Sequence, residues 1–168
     1  DVLKDRLYTT APGSRARRSA QTALWHITHG MLRWMAPFLS FTAEEAWKVF
    51  APGASVSIFT ETFWGFPAAG DEALLAKWSR IREIRDGVNK EIEAVRSAGQ
   101  VGASLQATVR ITAGPEDRAL LESLGEDLRF VLITSAATVV DGTELAVQVT
   151  PSTATKCERC WHYRDDVG

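Results

Sequence analysis

The sequence predicts a mainly α protein: a helical bundle, then a small α/β module, then a short cysteine-bearing knuckle. Three observations carry this. Apolar residues recur at steps of three and four over residues 16–34 and again over 74–95, which is the spacing of one helix face. Over residues 104–111 the period changes to two, the spacing of a strand with one buried face. Near the end stands Cys157-Glu158-Arg159-Cys160, a C-x-x-C pair. The divisions that follow are a helical domain over residues 1–98, the module over 99–151 and the first part of a knuckle over 152–168.

Hydrophobic residues make up 45% of the chain and charged residues 24%, enough for a sizeable core in a globular protein. No apolar run is long enough to span a bilayer. The opening Asp1-Val2-Leu3-Lys4-Asp5-Arg6 is charged, lacks a start Met and reads as the middle of a longer chain. It has no signal-peptide character, which implies a cytoplasmic protein. A net charge of −2 gives no global signature of nucleic-acid binding. Locally the balance differs. Lys4, Arg6, Arg15, Arg17 and Arg18 face only Asp1 and Asp5 in the first thirty residues, so a polyanion site favours the N-terminal helices.

Ser14 is the expected N-cap of the first long helix. Arg15, Arg17 and Arg18 fall in its first turns, where the positive end of the helix dipole disfavours cations. A phosphate nearby would relieve this; a solvated face is the simpler reading. Ala16, Ala20, Leu24, Ile27, Met31 and Trp34 form the expected apolar stripe. Pro37 ends the helix. Phe38, Leu39 and Phe41 are expected to fill the corner, and Thr42 with Glu45 to form a capping box. The second helix places Ala43, Ala46, Trp47 and Phe50 on one face. His26 and His29 stand at i, i+3, but no carboxylate or Cys on that face completes a metal site, so both read as structural or surface side chains.

Ala51-Pro52-Gly53 stops the second helix. Residues 56–60 read as a short extended piece, and the aromatic stretch 62–67 as a return across the bundle. Asp71 is the expected N-cap of the third long helix. Leu74, Trp78, Ile81, Val88, Ile92 and Val95 line one face, with Arg85 interrupting the stripe. Its remaining charges alternate in sign, as on a solvated face. Leu105, Ala107, Val109 and Ile111 alternate with polar residues as a strand. Gly114-Pro115 starts a short helix, and 128–133 starts another. Residues 138–140 and 145–149 are strands joined through Asp141-Gly142, a turn signal. The module is too small to be very stable alone and is expected to lean on the third helix.

Two thiols separated by two residues suit one tetrahedral Zn²⁺, because a tight turn points both sulfurs the same way. A redox C-x-x-C would instead open a helix after a strand. Here the pair follows a linker, beside basic and aromatic residues.

Residues 37–47, Pro-Phe-Leu-Ser-Phe-Thr-Ala-Glu-Glu-Ala-Trp, resemble the anticodon-binding helical domain of the class I aminoacyl-tRNA synthetases for isoleucine, valine, leucine and methionine. Three further stretches narrow the resemblance to the bacterial isoleucine enzymes: Asn89-Lys90-Glu91-Ile92-Glu93-Ala94-Val95-Arg96, Val101-Gly102-Ala103-Ser104-Leu105 and Glu126-Asp127-Leu128-Arg129-Phe130-Val131. Lys156-Cys157-Glu158-Arg159-Cys160-Trp161-His162-Tyr163 resembles their C-terminal zinc knuckle. The resemblance covers essentially the whole chain, but only the last part of such an enzyme.

What it implies is specific. The partner is the anticodon stem-loop of isoleucine tRNA. Catalysis with ATP and Mg²⁺ belongs to a separate domain of a monomeric parent. These residues contain neither the His-x-Gly-His nor the Lys-Met-Ser-Lys-Ser signature, so no catalytic residue is assigned. One Zn²⁺ is held by four Cys in two pairs, Cys157 and Cys160 being the first and the second falling after Gly168. His162 is a substitute ligand by chemistry only. Trp161 matches an exposed aromatic able to stack on a base, and Arg159 a phosphate contact; Arg15 and Arg18 complete the expected tRNA-binding set. The alternatives are the matching region of a valine, leucine or methionine enzyme, or a free-standing interaction module with a redox or structural C-x-x-C.

Overall fold

The computed structural model describes residues 2–54, 56–67 and 70–167, apart from the side chains of residues 2 and 5. They form two compact units. One is Thr10–Gly70; the other joins Asp1–Thr9 to Asp71–Gly168. No described helix is long and apolar enough to cross a membrane.

In the first unit, α2 (Arg15–Met35) starts at Ser14, whose Oγ accepts the Arg17 N–H. It ends at Ala36, before Pro37 as expected. The chain turns there, Phe38 and Leu39 both donating to the Met35 carbonyl, and α3 (Ser40–Phe50) packs back on α2. Ala43 and Trp47 are buried with Leu32, Ala36 and Ile58, and Ala46 and Phe50 pack against them. The expected face of the second helix is therefore the one that meets the core.

Four expectations for this unit fail in whole or in part. Helical geometry resumes at Ser40, so Thr42 and Glu45 lie inside α3 and form no capping box; Leu39 is the N-cap and makes no side-chain cap bond. Ser40 Oγ instead donates to the Ala36 carbonyl at 3.0 Å. Phe38 and Phe41 do not fill the corner: they are 86% and 88% exposed, and Leu39 is exposed too. Ile27, Met31 and Trp34 are also exposed, whereas His29, Leu32, Arg33 and Ala36 are buried. The expected stripe holds in the first half of α2, where Ala20 is buried and Ala16 and Leu24 are half-buried, and loses phase in the second half, where two polar side chains occupy the inner face. Residues 58–60 form one 3₁₀ turn rather than an extended piece. Glu44 fixes it by accepting from Ser57 Oγ and the Ile58 N–H, both at 2.9 Å.

In the second unit, α4 (Glu72–Ser97) is capped by Asp71, which accepts the Leu74 N–H at 2.9 Å. It buries Ile81, Ile84, Val88 and Ile92. A three-stranded sheet in the order β2-β1-β3 supplies the other side of the core, through Val109, Ile111 and Ala113. Strand β1 is Ala107–Ala113, β2 is Ala136–Asp141 and β3 is Ala146–Pro151. β1 pairs with β2 in parallel and with β3 antiparallel. The β1-to-β2 crossover carries α5 (Pro115–Glu122) and α6 (Leu128–Leu132).

The strands joined at Asp141-Gly142 are not partners of each other; they flank β1. The link therefore passes across the end of β1, where the Gly142 N–H donates to the Ala113 carbonyl. A Cβ at Gly142 would meet Thr112 Cγ2 at 2.2 Å, so this crossing needs glycine. Arg85 interrupts the α4 stripe for a local reason: its Nε donates to the Val131 carbonyl at 2.8 Å, near the end of α6. The contacts group α4 with the sheet it covers, while the division drawn from sequence placed it with the preceding helices. The short helix α1 (Val2–Thr9) also belongs to this unit, where Arg6 pairs with Asp127.

Candidate nucleic-acid interface

The knuckle is built from a two-stranded ribbon, β4 (Thr155–Lys156) and β5 (Tyr163–Arg164), which sequence periodicity was too short to reveal. The Cys157 N–H donates to the His162 carbonyl and the Trp161 N–H to the Cys157 carbonyl, both at 2.8 Å, closing the turn. Backbone N–H groups of Cys160 and Arg159 point at the Cys157 sulfur and hold its pKa below the ordinary thiol value, with help from the Cys160 thiol. This is a turn arranged to stabilise a thiolate.

That donor set suits half of a tetrahedral zinc site. Cys157 and Cys160 are both half-buried free thiols. Among the described residues no group of three His, Cys, Asp or Glu side chains gathers to hold a metal. His162 is buried in the module, edge-on to Phe130 with ring centroids 5.6 Å apart.

Ser135 anchors the knuckle to the module. Its buried hydroxyl accepts the Tyr163 N–H at 2.6 Å and donates to the Leu105 carbonyl. The anchored turn presents Arg159 and Trp161 outward; the Trp161 ring is 58% exposed, with Lys156 Nζ 5.7 Å from its centroid. Of the expected tRNA-binding residues, Arg159 and Trp161 thus share one turn with both cysteines. Arg15 and Arg18 are exposed on the first turns of α2, in the other unit, where no acidic residue stands. Lys4, one of the cations of the basic N-terminal stretch, and Tyr8, which sequence reading missed, both stand on α1 and line the same cavity as Arg159 and Trp161. No spacing rule links residues from opposite ends of a chain.

The first unit contains a second polar cluster. Arg33, only 9% exposed, donates to His29 Nδ1 at 2.7 Å and to Glu61 at 2.5 Å. Its guanidinium lies 4.7 Å from the Trp47 ring centroid and 5.1 Å from that of Trp64. His29 stacks on Trp64 at 4.1 Å with the rings nearly parallel. A guanidinium only donates, so His29 Nδ1 accepts and its proton sits on Nε2. Burial, then the Arg33 charge, pushes the His29 pKa down. His29 is thus structural, as expected from sequence, and its role is to seat a buried arginine.

Comparison with known proteins follows the same lines. Residues 1–111 match the family model described as the anticodon-binding domain of tRNA ligase. Proteins named isoleucine–tRNA ligase from Cupriavidus necator, Burkholderia cenocepacia and Ralstonia pickettii are each 60% identical to this chain, over 175, 172 and 174 residues. Each match covers all of this chain and 18% of the relative. The chain therefore spans under a fifth of the length of these relatives.

Proposed function

This chain belongs to the anticodon-binding domain family of tRNA ligases, and we propose that it is the part of an isoleucine–tRNA ligase that holds the anticodon stem-loop of isoleucine tRNA. The observation that carries this is the identity with isoleucine–tRNA ligases along the whole chain, knuckle included. In this reading the chain binds and positions RNA. ATP-dependent activation of isoleucine, with Mg²⁺, belongs to other parts of a longer, monomeric, cytoplasmic enzyme.

Arg15, Arg18 and Arg159 would meet phosphates, and Trp161 would stack on a loop base. Three phosphate contacts give affinity a log–log salt slope of about −2 to −3. An isoleucine tRNA transcript should therefore bind with that dependence, and replacing Arg15 and Arg18 together should make the slope shallower by roughly 1.5. Trp161→Ala should weaken binding by ~1–3 kcal/mol if the ring stacks on a base. Filter binding over a salt series checks both. Salt-independent binding, or no binding by the native chain, would remove the RNA reading.

Cys157 and Cys160 would hold Zn²⁺ as thiolates, and the metal would lock the turn that presents Trp161. A closed structural site has four ligands, and complete sites of this kind bind with an apparent ~10–16 kcal/mol at neutral pH. With two thiolates, residues 1–168 should lose zinc readily to a chelator, and a version extended by a second cysteine pair should retain it. One tightly held zinc per short chain, measured by metal analysis after chelation, would contradict the half-site assignment.

A further inference from the structure

The two legs of the knuckle end on the same 3₁₀ turn of the module, Ser104–Gln106. The entering leg is held by its backbone. Just after β3 ends at Pro151, the Ser152 N–H donates to the Gln106 carbonyl at 2.7 Å. The returning leg is held through a side chain. The Tyr163 N–H of β5 donates to Ser135 Oγ at 2.6 Å, and that hydroxyl donates onward to the Leu105 carbonyl. The Ser135 N–H takes the Ala107 carbonyl at 3.3 Å. Successive carbonyls of Leu105, Gln106 and Ala107 thus hold the knuckle and the serine that fastens it. Gln106 also braces the turn, its Oε1 accepting the Gly102 N–H at 2.9 Å.

A hydroxyl has one proton to give and lone pairs to accept with. Ser135 uses both, and it is only 3% exposed. Alanine there would strand the Tyr163 N–H and the Leu105 carbonyl at a site with almost no access to water. The knuckle would then hang from the Ser152 leg and the His162 ring, two points about whose line it can turn. Inside the knuckle the parts are tied to one another. Lys156 pairs with Tyr163, the Cys157 N–H with the His162 carbonyl, and the Trp161 N–H with the Cys157 carbonyl. A rotation at the base therefore carries Arg159 and Trp161 with it.

We propose that Ser135 is a positioning residue for RNA binding: through its hydroxyl, the Ser104–Gln106 turn sets the direction in which Arg159 and Trp161 face. Ser135 is too deeply buried to touch RNA itself and acts only through those two side chains. The proposal rests on the RNA-binding reading above and adds to it what aims that surface. Stacking on a base demands that a ring be held in one plane, so a loosened base costs affinity although every RNA-facing side chain is still present.

The test measures binding of an isoleucine tRNA transcript to the full chain and its variants, with circular dichroism to establish that each folds. Ser135→Ala should weaken binding about 5-fold or more, the lower end for one lost stacking contact. Ser152→Pro removes the N–H of the entering leg outside the buried core and should act in the same direction. Thr134→Val is the control. Thr134 is fully buried, but its Oγ donates to the Ala136 carbonyl at 3.3 Å, so affinity should stay within about twofold of native. In a chain already carrying Arg159→Ala and Trp161→Ala, Ser135→Ala should add less than about twofold. Hydrogen exchange on the free chain should show amides of residues 155–164 opening faster in Ser135→Ala while β1, β2 and β3 keep native protection. An equal Ser135→Ala loss in both backgrounds, or the same loss in Thr134→Val, would reduce Ser135 to a contribution to stability and overturn the proposal. Unchanged affinity in Ser135→Ala, with Trp161→Ala still weakened, would overturn it while leaving the RNA reading intact. Failure of the native chain to bind the transcript would remove both.

Discussion

Replacing Arg33 with alanine is expected to destabilise the Thr10–Gly70 unit by about 3 kcal/mol. Removing one member of a buried ion pair costs ~3–5 kcal/mol, because its partner keeps the desolvation penalty without the attraction. The lower end applies here, since the Glu61 side chain remains about a quarter exposed. The substitution also takes a cation from between the Trp47 and Trp64 rings and a donor from His29 Nδ1. Urea unfolding followed by tryptophan fluorescence reads this directly, because Trp25, Trp34, Trp47 and Trp64 all lie in this unit. Glu61→Gln should cost less, since Arg33 keeps its bonds to the His29 ring and carbonyl. A loss below ~1 kcal/mol for Arg33→Ala would mean that water replaces the guanidinium at no cost.

The same cluster sets a pH dependence. The His29 pKa is lowered in the folded state, so the unfolded chain takes up a proton first. Stability from this residue is present above the ordinary histidine pKa, ~6.5, and falls as pH drops below it. A histidine stabilised as a cation would show the opposite slope. His29→Gln should flatten the stability profile between about pH 6.5 and 5.

Ile111→Ala should destabilise the sheet-containing unit by ~2–5 kcal/mol, the range for emptying a buried branched side chain. Ile111 is fully buried on the central strand, between Val139 of β2 and Val147 of β3, and shares a core with Ile84 and Val88 of α4. Little can collapse into the gap, because all three sides are regular structure. Arg110→Ala on the exposed face of the same strand should fall within about 0.5 kcal/mol of native. Hydrogen exchange localises the effect: amides of β1, β2 and β3 should lose protection together in Ile111→Ala. Protection lost in β3 alone would show that the sheet is not one cooperative unit. The consequence reaches the RNA surface, since the knuckle is tied to the module through Ser135.

Much of this was legible in the amino-acid sequence. Ser14 and Asp71 are caps because a short polar side chain can reach a free N–H nearby, a purely local relation. Pro37 ends a helix for an equally local reason. The alternation over residues 104–111 marks β1 from Ala107 on, its first three residues forming a 3₁₀ turn instead, and Cys157 and Cys160 sit close enough in sequence to share one turn. Tertiary structure alone decided which face of the second half of α2 is buried. His29 and Arg33 go inside because Glu61, Trp47 and Trp64 meet them there, and Glu61 and Trp64 come from a segment without regular structure, whose placement no periodicity encodes. Phe38 and Phe41, apolar enough to suggest a core, are left in solvent because the turn after Pro37 points them outward. The order β2-β1-β3 and the cavity shared by α1 and the knuckle have the same origin. Each depends on segments far apart in sequence, and side-chain spacing carries information only as far as one element extends.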